Sequence, residues 1–286
     1  MGVLSINIYG IFCCKKRSKK SYGLFKYCIT PEINKQLISK QINSTKTMTQ
    51  IESQMNQLRL QGMAQSWKIM AETRRIHELT FADGMELLLQ AEVDIRSNRR
   101  LDRLLKNARF RYQASIPELN FEPARGLDKS LVNTLAMGQY IEKGEAVLIT
   151  GAAGCGKSFL ASALGQQACS QGFSVEYYNT QKLLIRAKMA RVEGNAIKFF
   201  EKLAKVNLLI LDDFGFTHFD KQQQLDLMEM VEDRHSRAST IISSQLPVEN
   251  WFDVIENETI ADAILDRIVH TAYRIELKGE SLRKKR

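Results

Sequence analysis

The sequence predicts an α/β fold: a parallel five-stranded sheet with flanking helices, preceded by a small all-helical domain. Three observations predict it. From residue 146 onward, short β-type apolar runs alternate with helical patterns, the mark of a parallel sheet. One run, Asn207–Leu211, is almost wholly apolar, as a strand covered on both faces must be. Between residues 50 and 115, apolar side chains recur instead at three- and four-residue spacing, which is helical.

The helical region divides into three expected helices. Ile51, Met55, Leu58, Met63, Trp67 and Met70 make the first apolar face. A second helix starts at Thr80, with Asp83 three residues on as a partial capping box, and carries Met85, Leu88, Leu89, Glu92 and Ile95. A third carries Leu101, Leu104, Leu105 and Ala108 and stops before Pro117. Residues 116–145 read as a linker with an entry helix from Asp128 to Ile141. Five strands are then expected, at Ala146–Thr150, Ser174–Tyr178, Asn207–Leu211, Ser239–Ser243 and Ala272–Leu277. Helices are expected at Gln181–Arg191, Ile197–Lys205, Gln222–Ser236 and Ile260–Ile268. The expected domains are thus 48–115, helical and DNA- or partner-binding, and 146–286, nucleotide-binding.

The chemistry sits where the first strand meets its helix. Gly151, Ala152, Ala153, Gly154, Cys155, Gly156, Lys157 and Ser158 match G-x-x-x-x-G-K-[ST] in full, and Phe159 opens the helix. Glycines let consecutive backbone N–H groups turn toward phosphate oxygens, and the helix adds its positive N-terminal end. Lys157 supplies a point charge for the β- and γ-phosphates, and Ser158 a hydroxyl for Mg²⁺. The partner element is the apolar strand that ends in Asp212 and Asp213. Asp212 is the expected Mg²⁺ carboxylate, and Asp213 the group that orients or deprotonates the attacking water. Together the two motifs point to hydrolysis of a nucleotide's terminal phosphate with Mg²⁺ as cofactor.

Charge is unevenly spread along the 286 residues. The net charge is +9, of which residues 1–47 hold nine basic residues against one acid. That segment has its apolar part before its positive part, unlike a signal peptide, and Ile6 fails a myristoylation signal. It reads as a basic, disordered tail or as a stretch upstream of a true start at Met48. The basic isoelectric point is therefore no argument for nucleic-acid binding by the folded part. A better one lies at Arg96, Arg99, Arg100, Arg103, Lys106, Arg109 and Arg111, seven cations against the single acid Asp102. The leucines of this stretch take one helix face and the cations the other. Such a face suits a phosphate backbone, and the alternative is a solvated surface. No apolar run approaches 20 residues, which excludes a transmembrane helix. Five scattered cysteines without a C-x-x-C pair exclude a zinc knuckle and a disulfide framework and suit a reducing cytoplasm.

Beyond the two phosphate-chemistry motifs, four more stretches carry a family resemblance: Asn98–Ala108, Ser243–Pro247, Ala261–Arg267 and Glu276–Arg283. Over residues 48–286 the chain resembles AAA+ ATPases of the DnaC/IstB group, most closely the IstB-like ATP-binding helpers of insertion-sequence transposition. The resemblance implies a bacterial, cytoplasmic helper that assembles as an ATP-dependent homo-oligomer on duplex DNA and recruits or stimulates a transposase. It implies that Gln245 is a polar sensor of the γ-phosphate, Arg267 an arginine finger reaching a neighbour's nucleotide, and Arg283 a second sensor. For Arg267 the alternative is an ion pair to Asp262 or Asp266, and for Arg283 a basic tail with Arg286. Arg234 is a further interface candidate. The chain departs from many AAA+ proteins in having Asp213 where a Glu is common, which implies slow turnover. Only nine residues follow Leu277, so no C-terminal helical lid domain is expected. A replicative helicase loader and a small-molecule phosphotransferase are the competing functions.

Overall fold

The computed structural model describes residues 46–282 and divides into two compact units, one ending at Arg96 and one starting at Ser97. The basic segment before residue 46 and Arg283 lie outside the described residues.

In the first unit a helix through 46–57 (α1) is followed by α2 (Gln61–Glu72) and the start of α3 (Phe81–Ala108). Met63, Met70 and Leu88 form its small buried core, with Met55, Leu60, Trp67, Ile76 and Leu79 packed around it. Thr80 caps α3 as expected: the amide of Asp83 donates to its hydroxyl at 3.2 Å, and that hydroxyl donates to the Asp83 carboxylate at 2.7 Å. The expected pair of helices across residues 80–108 is a single helix of 28 residues. No glycine or proline interrupts it between Met85 and Ala108, and its apolar stripe merely shifts phase. Leu101, Leu104, Leu105 and Ala108 bury against the sheet core rather than in a separate helical domain. The division between the two compact units falls within this helix, between Arg96 and Ser97.

The second unit is a five-stranded, wholly parallel sheet in the order β2-β3-β4-β1-β5. Its strands are β1 (Val147–Gly151), β2 (Val175–Asn179), β3 (Leu208–Phe214), β4 (Ser239–Ser244) and β5 (Tyr273–Leu277). Strand alternation sends side chains to two faces. Leu148, Leu209, Leu211 and Ile242 join one core, with α7 (Thr180–Val192), α8 (Ala196–Lys205), α9 (Lys221–Arg234), α10 (Trp251–Ile255) and α11 (Glu258–Val269) over them. Val147, Ile149, Leu208, Ile210 and Ile241 join the other, beneath α4 (Lys129–Ala136), α5 (Gln139–Glu142) and α6 (Lys157–Ser170). The entry helix expected over Asp128–Ile141 is broken at Gly138, whose φ of 82° ends α4 and starts α5. Among the described residues no helix is long and apolar enough to cross a membrane.

Candidate nucleotide site

Parallel topology places every strand's carboxyl end on one edge, where such sheets hold ligands. The phosphate loop leaves β1 there. Gly151 has φ 143°, and a side chain on it would strike the Leu277 carbonyl oxygen of β5. Gly154 has φ 82°, and a side chain there would strike the Ser281 hydroxyl. These positions therefore require glycine on both backbone and steric grounds. The segment past β5 closes over the loop, with the Leu282 amide donating to the Gly154 carbonyl at 3.0 Å. Lys157 is buried, and its Nζ donates to the carbonyls of Gly151 (2.7 Å) and Ala152 (2.8 Å). Cys155 is buried, while Ala152 and Ala153 are exposed at the rim.

The acids come from β3, which is separated from β1 by β4. Asp212 is 0% exposed. Its Oδ1 accepts from the Ser158 hydroxyl at 3.0 Å and from Ser243 of β4. Its Oδ2 accepts from the Tyr177 hydroxyl of β2 and from Arg111 Nη1 at 3.3 Å. Burial pushes the Tyr177 phenol far above its ordinary pKa, and the adjoining Asp212 carboxylate adds to that, so it stays a hydroxyl donor. Successive strand residues point to opposite faces, yet Asp213 shares Arg111 with Asp212, at 3.2 Å. The reason is a bulge: the β3–β4 register shifts between Leu211 and Phe214, and Asp213 has a left-handed φ of 56°. Asn179 Nδ2 donates to the same Asp213 oxygen at 3.0 Å.

The donor set suits magnesium and a triphosphate. Ser158 and Asp212 offer two hard oxygens in hydrogen-bond contact, and the Lys157 ammonium lies along the glycine loop against the Gly151 and Ala152 carbonyls. Among the described residues no group of three or more His, Cys, Asp or Glu converges. Magnesium, which keeps waters and phosphate oxygens as ligands, needs no such cage.

Other expected site residues lie apart. Gln245 is exposed just past β4. The β4 side chain that reaches Asp212 is instead Ser243. Arg267 of α11 pairs with Glu232 of α9 at 2.7 Å and donates to the Ala263 carbonyl at 2.9 Å, so neither Asp262 nor Asp266 is its partner. Arg234 is buried and braces the Val206 carbonyl at 2.8 Å and the carbonyls of Leu203 and Ser239, which removes it from any interface. Burial lowers its pKa to about 10. Of the basic stretch, Arg96 pairs with Glu92 at 2.7 Å and Arg100 donates to the Gly172 carbonyl at 3.0 Å. Arg99, Arg103, Lys106 and Arg109 are exposed. Arg111 turns away from them to the acids. Sequence reasoning missed Tyr177, Asn179 and Ser243. Their signal was position in a strand neighbouring β3: Asn179 ends β2, Ser243 is next to the end of β4, and Tyr177 lies mid-strand in β2.

A family model described as "IstB-like ATP binding protein" matches residues 53–286. The chain belongs to that family. It is 41% identical over 230 residues to a putative insertion sequence ATP-binding protein, y4pL, of Sinorhizobium fredii, covering 80% of this chain and 94% of that one. It is 40% identical over 196 residues to the IS1162 putative ATP-binding protein of Pseudomonas fluorescens, covering 68% and 85%. Among solved structures, that of DnaI superposes with a TM-score of 0.50 at 18% identity, covering 62% of this chain and 94% of that one. The sheet of this IstB-like chain is thus of the AAA+ type, and its relatives are ATP-binding proteins of insertion sequences.

Proposed function

We propose that the chain is a magnesium-dependent ATPase that assembles on duplex DNA as a homo-oligomer and recruits or stimulates a transposase. The observation that carries the hydrolytic part is the meeting of Ser158, Asp212 and Asp213 at the mouth of the phosphate loop. Ser158 and Asp212 would hold magnesium, which would supply charge neutralisation to the triphosphate. Lys157 exchanges the Gly151 and Ala152 carbonyls for phosphate oxygens. Asp213, braced by Asn179, orients the attacking water and accepts its proton. Gln245 senses the terminal phosphate from the end of β4. Arg267 leaves Glu232 to reach a neighbouring subunit's nucleotide, where a guanidinium offsets charge developing on the transferred phosphoryl group.

DNA contact is assigned to the exposed cations Arg99, Arg103, Lys106 and Arg109, with Arg96 and Arg100 at the margin. Their role is sequence-independent phosphate neutralisation, which salt weakens.

The test is to follow ATP binding and phosphate release in Asp212→Asn and Asp213→Asn. Asp212→Asn should lower magnesium-dependent ATP affinity, while Asp213→Asn should bind ATP normally and turn over at least about 100-fold more slowly. Undiminished turnover in both variants would remove the hydrolytic assignment.

A further inference from the structure

Arg111 lies three residues past the end of α3, and the residues on either side of it are pinned to the nucleotide unit. Phe110 fills the space above Gly165 of α6 and meets the Tyr177 ring edge-on at 6.3 Å. The Tyr112 carbonyl accepts from Gln166 at 3.1 Å, and the Tyr112 ring lies 6.3 Å from that of Phe159. The backbone is therefore held, while the Arg111 side chain is 42% exposed and able to swing.

A carboxylate offers about four acceptor directions. Asp212 uses them on Ser158, Ser243, Tyr177 and Arg111. A cation arriving at Asp212 must therefore displace a donor. Ser243 and Tyr177 are buried, and Ser158 would itself help to hold the metal. Arg111 has the longest of the four contacts, and its departure exchanges one cation for another. Without it, a triphosphate would approach two carboxylates with only Lys157 to offset them.

We infer that Arg111 is a positioning residue that sets the metal dependence of nucleotide binding: its guanidinium neutralises Asp212 and Asp213 until a divalent cation displaces it. The inference rests on the nucleotide reading of the site. It makes Arg111 a link between nucleotide state and the basic end of α3, rather than one more member of the DNA-contacting set.

The experiment measures the affinity of a fluorescent ATP analogue for the full chain, once with excess Mg²⁺ and once with a chelator. The quantity read is the ratio of the two dissociation constants. Arg111→Gln should weaken metal-free binding and leave metal-bound binding equal or tighter, so the ratio rises about tenfold over wild type. Both acids are met by the single nitrogen Nη1, so Arg111→Lys, which keeps the charge on one nitrogen, should hold the ratio within about threefold of wild type. Thermal unfolding of both variants checks the fold, and a merely structural residue would weaken both affinities alike. An unchanged ratio in folded Arg111→Gln, or parallel weakening of both affinities, overturns the inference while leaving the site a nucleotide site. Wild-type protein that binds neither form overturns the nucleotide reading and this inference with it.

Discussion

Asp213 adopts a left-handed backbone, φ 56°, which short polar side chains tolerate better than long ones. That conformation brings its carboxylate to the same Arg111 that Asp212 holds. It also gives a local reason for aspartate here rather than glutamate. Asp213→Glu should cost about 1 kcal/mol in stability without raising turnover, read by thermal unfolding and steady-state ATPase assays. A faster enzyme of undiminished stability would remove this account of the bulge. Lys157 permits a sharper test. Lys157→Ala removes a buried ammonium aimed along the loop, and ATP affinity should fall by about 100-fold in equilibrium titration. Both residues were legible in the sequence, because motif spacing alone marks a phosphate loop and an acidic strand end. Arg111's contact was not. It joins positions about a hundred residues apart, and nothing local distinguishes Arg111 from its basic neighbours.

At the scale of elements, the strands were the most legible part. β1 and β3 are short, mostly apolar runs, β2 and β4 mix apolar with polar residues, and the structure finds the five close to their expected places. The length of α3 was hidden because its apolar stripe changes phase near Ile95, from the small core around Leu88 to the sheet core at Leu101. Glu92 shows the same limit. By pattern it belongs to a helix face; in the fold it is buried and caps α2, accepting the amides of Gly62 (2.7 Å) and Met63 (3.2 Å). Gly62 lets the two helices approach this closely, since a side chain there would strike the backbone of Ala91. Burial would raise the Glu92 pKa, but Arg96 and the two amides outweigh it and hold the carboxyl below its ordinary 4.5. A depressed pKa adds stability above the unfolded value and loses it as pH falls through the folded one. Glu92→Gln should therefore destabilise the helical unit by about 1 kcal/mol at neutral pH, with the difference fading below about pH 4. Hydrogen exchange of the α2 amides across that range checks it. Equal protection in variant and wild type at neutral pH would show that the cap contributes nothing.

For the whole molecule, the question is how one chain's site is completed. Arg267 is engaged on its own chain by Glu232 and by the Ala263 carbonyl. An arginine acting in trans predicts complementation. Arg267→Ala alone should bind ATP and not hydrolyse it, and Lys157→Ala alone should bind it weakly and not hydrolyse it. Mixed, the intact site of the first and the intact arginine of the second should restore part of the turnover. The fold and family of the chain were readable from motifs, but the stoichiometry of the proposed oligomer depends on surfaces that a single chain does not contain. In the proposed function, hydrolysis is coupled to assembly on DNA. The decisive measurement is phosphate release at fixed ATP and Mg²⁺, with and without duplex DNA, alongside particle size in the same samples. Turnover should be faster with DNA, together with ATP-dependent oligomers that elevated salt dissolves. Equal turnover with and without DNA, by protein that stays monomeric, would contradict that coupling.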